Sequence, residues 1–201
     1  MALSKIQSES VNLADNFAFT GTVSGAGAGG LVFIGSSVAT TDVAQLDVLG
    51  LNETYKNLFI TGHLINATDS VNTYMRVFDT NDTIISSASY DWSRMKYSSV
   101  TTTGTKSMAD NQWDLSANVG SASAEKGVSF RINITNIGID TAQTHILSQT
   151  GYEDETGNFE GGVSCGSLTS QTQDINGIRL FMSSGDVQAN SYVNVYGVVD
   201  S

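Results

Sequence analysis

The amino-acid sequence predicts an all-β fold, built as an antiparallel sandwich or barrel. Three observations support this prediction. From Leu31 onward, strand-like runs in which apolar and polar residues alternate recur about every ten residues, as in all-β domains. Short clusters of Gly, Asn, Asp, Ser and Thr separate these runs and are typical of turns. A helical repeat of apolar residues is nearly absent, so little helix is expected.

The first 30 residues differ from the rest of the chain. Only residues 17–23, FAFTGTV, alternate like a strand, and the glycine-rich SGAGAGG follows them. These residues contain too little apolar material to form a core alone. We therefore predict an extended N-terminal arm with a Gly-rich hinge over residues 1–30, and a β-sandwich over residues 31–201.

The predicted strands follow in order along residues 31–201. They are LVFIGSSVAT, AQLDVLGL, YKNLFITGHLI, NTYMRVFDT, TIISSASYDWSRMKY, GVSFRINITNI, HILSQTGY, GVSCGSL, INGIRLFMS and SYVNVYGVV. In the last run, Val193 and Val195 share one face while Tyr192 and Tyr196 share the other. The segments NATDS, DTND, TTTGT, ETGN and SSGD are predicted turns, and the chain builds them without proline.

Charge and cysteine content narrow the range of functions. The net charge is −11, with 20 acidic and nine basic residues, and no Lys/Arg cluster is present. Nucleic-acid binding requires such clusters, and an anionic membrane would repel the chain, so neither partner is expected. Cys165 is the single cysteine, so neither an intrachain disulfide nor a Cys-based zinc site can form, as in proteins of a reducing cytoplasm.

Targeting segments are also not evident from the sequence. The N-terminal MALSKIQSES lacks an apolar core of signal-peptide length, and no apolar run of membrane-spanning length occurs. We therefore expect a soluble protein that is made without an export signal.

A glycine motif in the hinge raises the question of nucleotide binding. Gly25, Gly27 and Gly30 match the G-x-G-x-x-G spacing of dinucleotide-binding loops. That site needs a helix directly after the glycines, because the helix N-terminus receives the pyrophosphate. Here the β-branched and aromatic run LVFIGSSV follows instead. We predict a joint between arm and sandwich, and no cofactor.

Metal binding and histidine chemistry have weak signals. His63 and His145 lack both metal-ligand spacing and a catalytic setting, and His63 is expected on a sheet face. The acidic segment Glu153 to Glu160, YEDETGNFE with its preceding Tyr, could gather oxygen ligands for calcium. It lacks the D-x-D-x-D-G pattern, and a solvated turn has the same composition. We predict no resident metal and leave calcium at this loop open.

Four aromatic residues are candidate surface contacts. Tyr90, Trp92 and Tyr97 lie in SYDWSRMKY beside two cations, and Trp113 follows. Such aromatic groups stack on sugars or contact a receptor. Core packing is the alternative, because aromatic residues alternate naturally in strands. No pair of carboxylates occupies a setting suited to glycoside hydrolysis, so an enzyme is not expected.

From Leu31 onward the chain resembles a module of bacteriophage virion proteins, particularly tail fibres and other adhesive appendages. The resemblance begins in LVFIGSSVATTDVAQLDVLGLNETYKNLFITGHLI and continues through TYMRVFDTNDTIISSASY. Its most specific part is INGIRLFMSSG followed by VYGV, and LADNFAFTGTVSGAG resembles the arm of marine-phage proteins that carry the module. The resemblance covers roughly 170 residues. It implies a jelly-roll sandwich, assembly as a homotrimer and an N-terminal segment that docks onto other virion proteins.

Three functions follow from these expectations. The leading one is a tail fibre or fibre-tip protein that attaches the virion to a host glycan or protein. The second is a capsid decoration or cement protein that uses the same sandwich on the phage head. The third, a carbohydrate-active enzyme, would cleave host polysaccharide. The first two place the protein in the virion, after assembly in the bacterial cytoplasm.

Overall fold

The structure, a computed structural model, describes residues 30–51, 54–99, 101–121, 127–139, 142–169 and 175–199. The predicted N-terminal arm, with Gly25 and Gly27, lies outside these residues apart from Gly30. The described residues contain no helix, and accordingly none of a length and hydropathy that would cross a membrane.

The described residues form twelve β-strands. Their bounds are β1 Leu31–Val38, β2 Gln45–Leu49, β3 Asn57–Leu64, β4 Val71–Phe78, β5 Tyr90–Ser98, β6 Thr102–Asp110, β7 Trp113–Val119, β8 Val128–Thr135, β9 His145–Glu153, β10 Phe159–Leu168, β11 Gly177–Met182 and β12 Tyr192–Val198. The prediction of an all-β chain with many short strands is confirmed.

The strands form two antiparallel sheets that pack as a β-sandwich. The larger sheet has eight strands in the order β1-β12-β3-β8-β9-β10-β5-β6. The smaller has four, in the order β2-β11-β4-β7. Strand β2 packs over β1 and β12, and β7 packs over β8, β9, β10 and β5. The smaller sheet therefore covers one face of the larger, and the opposite face of the larger sheet is called here the outer face.

A single apolar core lies between the sheets. It follows from the alternation of side chains along each strand. In β3, Leu58, Ile60 and Leu64 are buried, as is Gly62, whereas the residues that alternate with them are half-buried on the outer face. In β12, Val193 and Val195 are buried, as predicted. Because apolar burial is the dominant favourable contribution to folding, these inward rows fix the register of the strands.

One glycine is required by this packing. A Cβ atom on Gly197 in β12 would lie 2.2 Å from the ring of Tyr55, which rests against the strand. No side chain can occupy that position unless the aromatic ring moves.

Strands β6 and β7 were not among the predicted strands. The segment TTTGT was interpreted as a turn, but residues 102–110 pair with β5 along its length, and the turn lies at Ser98 to Thr101. Strand β6 is the free edge of the larger sheet, and all its residues are exposed or half-buried. It therefore lacks the apolar alternation by which a half-buried strand is recognised.

Candidate functional site

Two of the four predicted contact residues lie in the core. The rings of Tyr90 and Trp113 are fully buried between the sheets. The Tyr90 hydroxyl donates to the carbonyl of Ile85 and accepts from the amide of Val77, each at 2.9 Å. Burial raises the pKa of Tyr90 well above its ordinary value, although the Val77 amide opposes the rise. Surface contact does not fit these two residues, and the alternative of core packing describes them.

Trp113 is held in a similar way. Its indole Nε1 donates a hydrogen bond to Ser148 Oγ at 3.2 Å. A buried indole N–H needs such a partner, because an unpaired buried donor is costly. The ring thus joins β7 of the smaller sheet to β9 of the larger.

The other two aromatic residues point in opposite directions. Trp92 is half-buried on the inner side of β5, where its Nε1 donates to Asp110 Oδ2 at 3.2 Å. Tyr97 lies on the outer face with 51% of its surface exposed. Five positions separate them in a regular strand, so they cannot share a face. The four aromatic side chains therefore do not form one stacking platform.

The two cations near these aromatic residues, Arg94 and Lys96, form ion pairs with carboxylates of neighbouring strands. Arg94 Nη1 contacts Asp114 Oδ1 at 2.5 Å, and both side chains are buried. Lys96 Nζ contacts Glu160 Oε1 at 2.7 Å. Burial raises the pKa of Asp114 from its ordinary 3.8 to about 6, and the Arg94 guanidinium opposes this rise without cancelling it. Both pairs hold the strands together, and the Arg94 guanidinium also lies over the Trp92 ring, 6.0 Å from its centroid, on the inner side of the sheet.

The acidic segment Glu153 to Glu160 is a hairpin turn between β9 and β10. Asp154 Oδ1 accepts hydrogen bonds from the amides of Thr156 and Asn158, each at 2.9 Å. Burial favours a higher pKa for Asp154, but these hydrogen bonds outweigh it and lower the pKa. Glu160 points inward to Lys96, so the carboxylates diverge. Within the described part of the chain, no group of three or more His, Cys, Asp or Glu residues is arranged to hold a metal.

His63 lies on a sheet face, as predicted. Its Nδ1 lies 3.0 Å from Ser129 Oγ on the neighbouring strand β8. The DTND segment is also a turn, in which Asp79 Oδ1 accepts from the amides of Asn81 and Thr83, each at 2.9 Å.

The outer face of the larger sheet is the feature that sequence reasoning missed. Its half nearest β1 carries an aromatic patch, defined by Leu31, Phe33, Phe59, Tyr196 and Val198. The rings of Phe33 and Tyr196 meet edge to face with centroids 5.7 Å apart, and the rings of Tyr196 and Phe59 are 6.4 Å apart. Phe33 is 57% exposed although it is apolar. The patch contains no charged residue.

The other half of the outer face carries a trough across β8, β9, β10, β5 and β6, called here the polar trough for its polar side chains, which are set in a largely apolar lining. Two rows of directly paired outward positions form it: Asn133, Leu147, Cys165, Ser93 and Lys106 in one, and Thr135, His145, Ser167 and Asp91 in the other. The residues that alternate with these along the strands, such as Ile132, Ile134 and Ile146, are buried in the core. The trough is therefore a surface feature supported by a packed interior.

Two adjoining depressions give the trough its depth. One has a volume of about 490 Å³ and lies over β8, β9 and β10, between Asn133, Thr135, His145 and Leu147. The other, of about 270 Å³, lies over β5 and β6 beside Asp91, Lys106 and Met108. Both are lined by Cys165, Gly166 and Ser167. The two depressions are therefore adjacent, and small residues in the middle of β10 border both of them.

Most polar side chains of the trough have no hydrogen-bond partner within the described chain. This holds for Asn133, Thr135, His145, Ser93 and Ser167. Asp91 is the exception, because its Oδ1 accepts from the amide of Ala109 at 2.6 Å. The trough therefore presents amide, imidazole and hydroxyl groups that are free to bind an external molecule.

Comparison of the chain with protein-family models, curated proteins and solved structures found no match. The functional interpretation consequently depends on the geometry and chemistry of the sandwich.

Proposed function

We propose that this protein is a structural protein of a bacteriophage virion that attaches the particle to its host, as a tail fibre or fibre tip. The single observation that carries the proposal is the outer face of the larger sheet. Among the described residues no strand packs over it, and in its trough the side chains of Asn133, Thr135, His145, Ser93 and Ser167 have no hydrogen-bond partner within the described chain. An uncovered face of this kind marks a contact surface. The resemblance of residues 31–201 to virion appendage modules supports the same function.

The proposal includes a finer description of the fold as a jelly roll. Two hairpins, β5–β6 and β9–β10, extend one edge of the larger sheet. Without them, four strands in the order β1-β12-β3-β8 face four in the order β2-β11-β4-β7. Successive strands β1 to β4 then alternate between the sheets, as in a jelly roll of two Greek keys. The inserted hairpins supply β5, β6, β9 and β10, which carry most of the trough.

The proposal also includes assembly as a homotrimer through the aromatic patch. A chain of net charge −11 repels its own copies wherever carboxylates face each other. The patch has no carboxylate and exposes Phe33 beside Tyr196, so it offers apolar contact without that repulsion. Interfaces are enriched in such aromatic residues. Residues 1–30 would dock the trimer onto other virion proteins.

Competition for host cells tests the attachment function. Purified protein is mixed with susceptible bacteria before the phage that encodes it is added, and unadsorbed particles are counted. We expect the protein to reduce adsorption in proportion to its concentration. The heat-unfolded protein at the same concentration serves as the control. Unchanged adsorption at saturating protein would contradict attachment and would favour the capsid decoration alternative.

A further inference from the structure

We propose that the polar trough is the binding site for a neutral, extended glycan chain. The inference deepens the attachment function and rests on it. It concerns the location of the site on the outer face, the chemical class of the ligand and the residues that contact it.

The shape of the trough fits an extended chain rather than a compact molecule. The two depressions lie side by side, because both are lined by Cys165, Gly166 and Ser167, and together they are called here the channel. It crosses five neighbouring strands, and at a strand spacing of about 4.8 Å the outermost two lie about 19 Å apart. A chain of several linked sugar rings could follow this channel across the sheet.

The hydrogen-bonding groups of the trough match those of a sugar. Asn133 offers an amide, His145 an imidazole, and Thr135, Ser167 and Ser93 offer hydroxyl groups. Each of these groups can both donate and accept, as sugar hydroxyls do. None is engaged elsewhere in the described chain, so binding breaks no internal hydrogen bond.

Each of the two depressions is also lined by an exposed apolar side chain. Leu147 is 42% exposed beside His145, and Met108 is 74% exposed beside Lys106. Binding sites combine apolar walls with a few placed polar groups, and the C–H faces of sugar rings pack on such walls.

The charges of the trough indicate a neutral ligand. Lys106 and Asp91 lie near its β5–β6 end and have opposite signs. The remaining lining side chains are uncharged apart from His145 when it is protonated. In the trough, a strongly acidic polysaccharide would contact a single lysine, Lys106. The net charge of −11 on the chain would repel it.

The direction of the trough argues against an extended peptide. A bound peptide commonly adds to a sheet edge, where free backbone groups pair with it. The trough instead runs across the face of the sheet, over β8, β9, β10 and β5, each of which is paired on both sides, to the edge strand β6. Apart from those on the outer edge of β6, its backbone groups are therefore committed to the sheet, and recognition depends on side chains.

The single cysteine provides a test with the native protein. Cys165 is exposed at the point where the two depressions meet, and it is the only cysteine in the chain. Alkylation with N-ethylmaleimide therefore places a bulky group in the middle of the trough alone. The full-length protein is titrated by calorimetry with neutral oligosaccharides of glucose, galactose, mannose and N-acetylglucosamine, and with an acidic hyaluronan oligosaccharide.

We expect at least one neutral oligosaccharide to bind, and alkylation to weaken that binding at least tenfold. The Cys165→Ser variant should bind and be insensitive to the reagent. The variant His145→Ala should weaken binding at least tenfold, whereas Asn194→Ala, on the same face outside the trough, should leave it unchanged. Binding of none of the neutral probes, binding of hyaluronan alone, or affinity unaffected by alkylation would each overturn the proposal.

The two proposals fail in different ways. If the protein blocks phage adsorption but binds none of the neutral oligosaccharides, the attachment function stands and the proposal of a glycan site in the trough is wrong. If the protein binds an oligosaccharide and alkylation weakens this binding, but the protein does not affect adsorption, the glycan site stands and the attachment function is wrong.

Discussion

Arg94 in β5 and Asp114 in β7 form a buried ion pair across the two sheets, with Arg94 Nη1 2.5 Å from Asp114 Oδ1. A hydrogen bond from Ser164 Oγ in β10 to the Asp114 carbonyl, at 3.4 Å, lies next to it. These contacts attach the hairpin strands β5 and β10 to the smaller sheet. They thereby support the part of the outer face that carries the trough.

Removal of the arginine tests this attachment. Arg94→Met leaves the buried Asp114 carboxylate unpaired, and we expect a loss of about 3–5 kcal/mol in unfolding free energy at pH 7. Urea unfolding measures it. The matched control is Arg179→Met, which breaks the half-exposed pair of Arg179 with Asp47 and should cost about 0–1 kcal/mol. Equal losses in the two variants would contradict the inferred role of the buried pair.

The pH dependence of stability tests the environment of Asp114. Its pKa is raised to about 6 in the folded protein, so the folded state holds this proton more tightly than the unfolded state does. The stabilising contribution is therefore complete below about pH 4 and is lost as the pH rises through about 6. Asp114→Asn lacks this titration, so its stability relative to the natural protein should rise between pH 4 and 6. A relative stability that falls across this range would mean that Arg94 outweighs burial.

The hydroxyl group of Tyr90 is expected to stabilise the core. Tyr90→Phe leaves the buried Val77 amide and Ile85 carbonyl without this partner, which should cost about 1–3 kcal/mol. Tyr97→Phe removes a hydroxyl from the exposed outer face and should change stability by less than about 0.5 kcal/mol. Thermal and urea unfolding of both variants give the comparison. A Tyr90 variant as stable as the Tyr97 variant would refute the assigned role.

The aromatic patch is expected to hold copies of the chain together. Phe33→Ser removes its most exposed ring and should weaken trimer association at least tenfold in sedimentation analysis. Phe159→Ser, which removes an even more exposed ring outside the patch, should leave association unchanged. A natural protein that sediments as a monomer at all concentrations, or a trimer unaffected by Phe33→Ser, would rule out this interface.

Deletion of residues 1–24 tests the predicted arm. The truncated protein should fold and assemble as the full chain does, because the residues that the structure describes, from Gly30 onward, form a packed core among themselves. It should be missing from purified virions, since its docking segment is gone. Immunoblotting of particles and sedimentation of the free protein provide the two readouts. Normal incorporation of the truncated protein would disprove docking by the arm.

The core was predictable because its strands are buried on one face only. In β3 and β12 the apolar and polar residues alternate, so Leu58, Ile60 and Val195 identify the inner side directly. In β5 both faces carry aromatic residues, with Tyr90 and Trp92 on one side and Tyr97 on the other. Alternation could not show which side meets the smaller sheet, and the four aromatic candidates were grouped as a result.

The trough was not predictable for a different reason. Asn133, His145, Ser167 and Lys106 lie on four separate strands, and the strand order of the larger sheet is not the order of the chain. Within the trough, residues more than 60 positions apart, such as Ser93 and Cys165, become neighbours because β10 pairs with β5. The available signal was a series of polar residues at outward positions of β8, β9 and β10, which is also typical of an ordinary solvated face.

Imaging of the intact phage particle, with this protein located by an antibody or by density for its sandwich, tests the central claim most directly. The attachment function predicts a few trimers at the tip of the tail or its fibres. Tens to hundreds of copies on the head, with none on the tail, would contradict it.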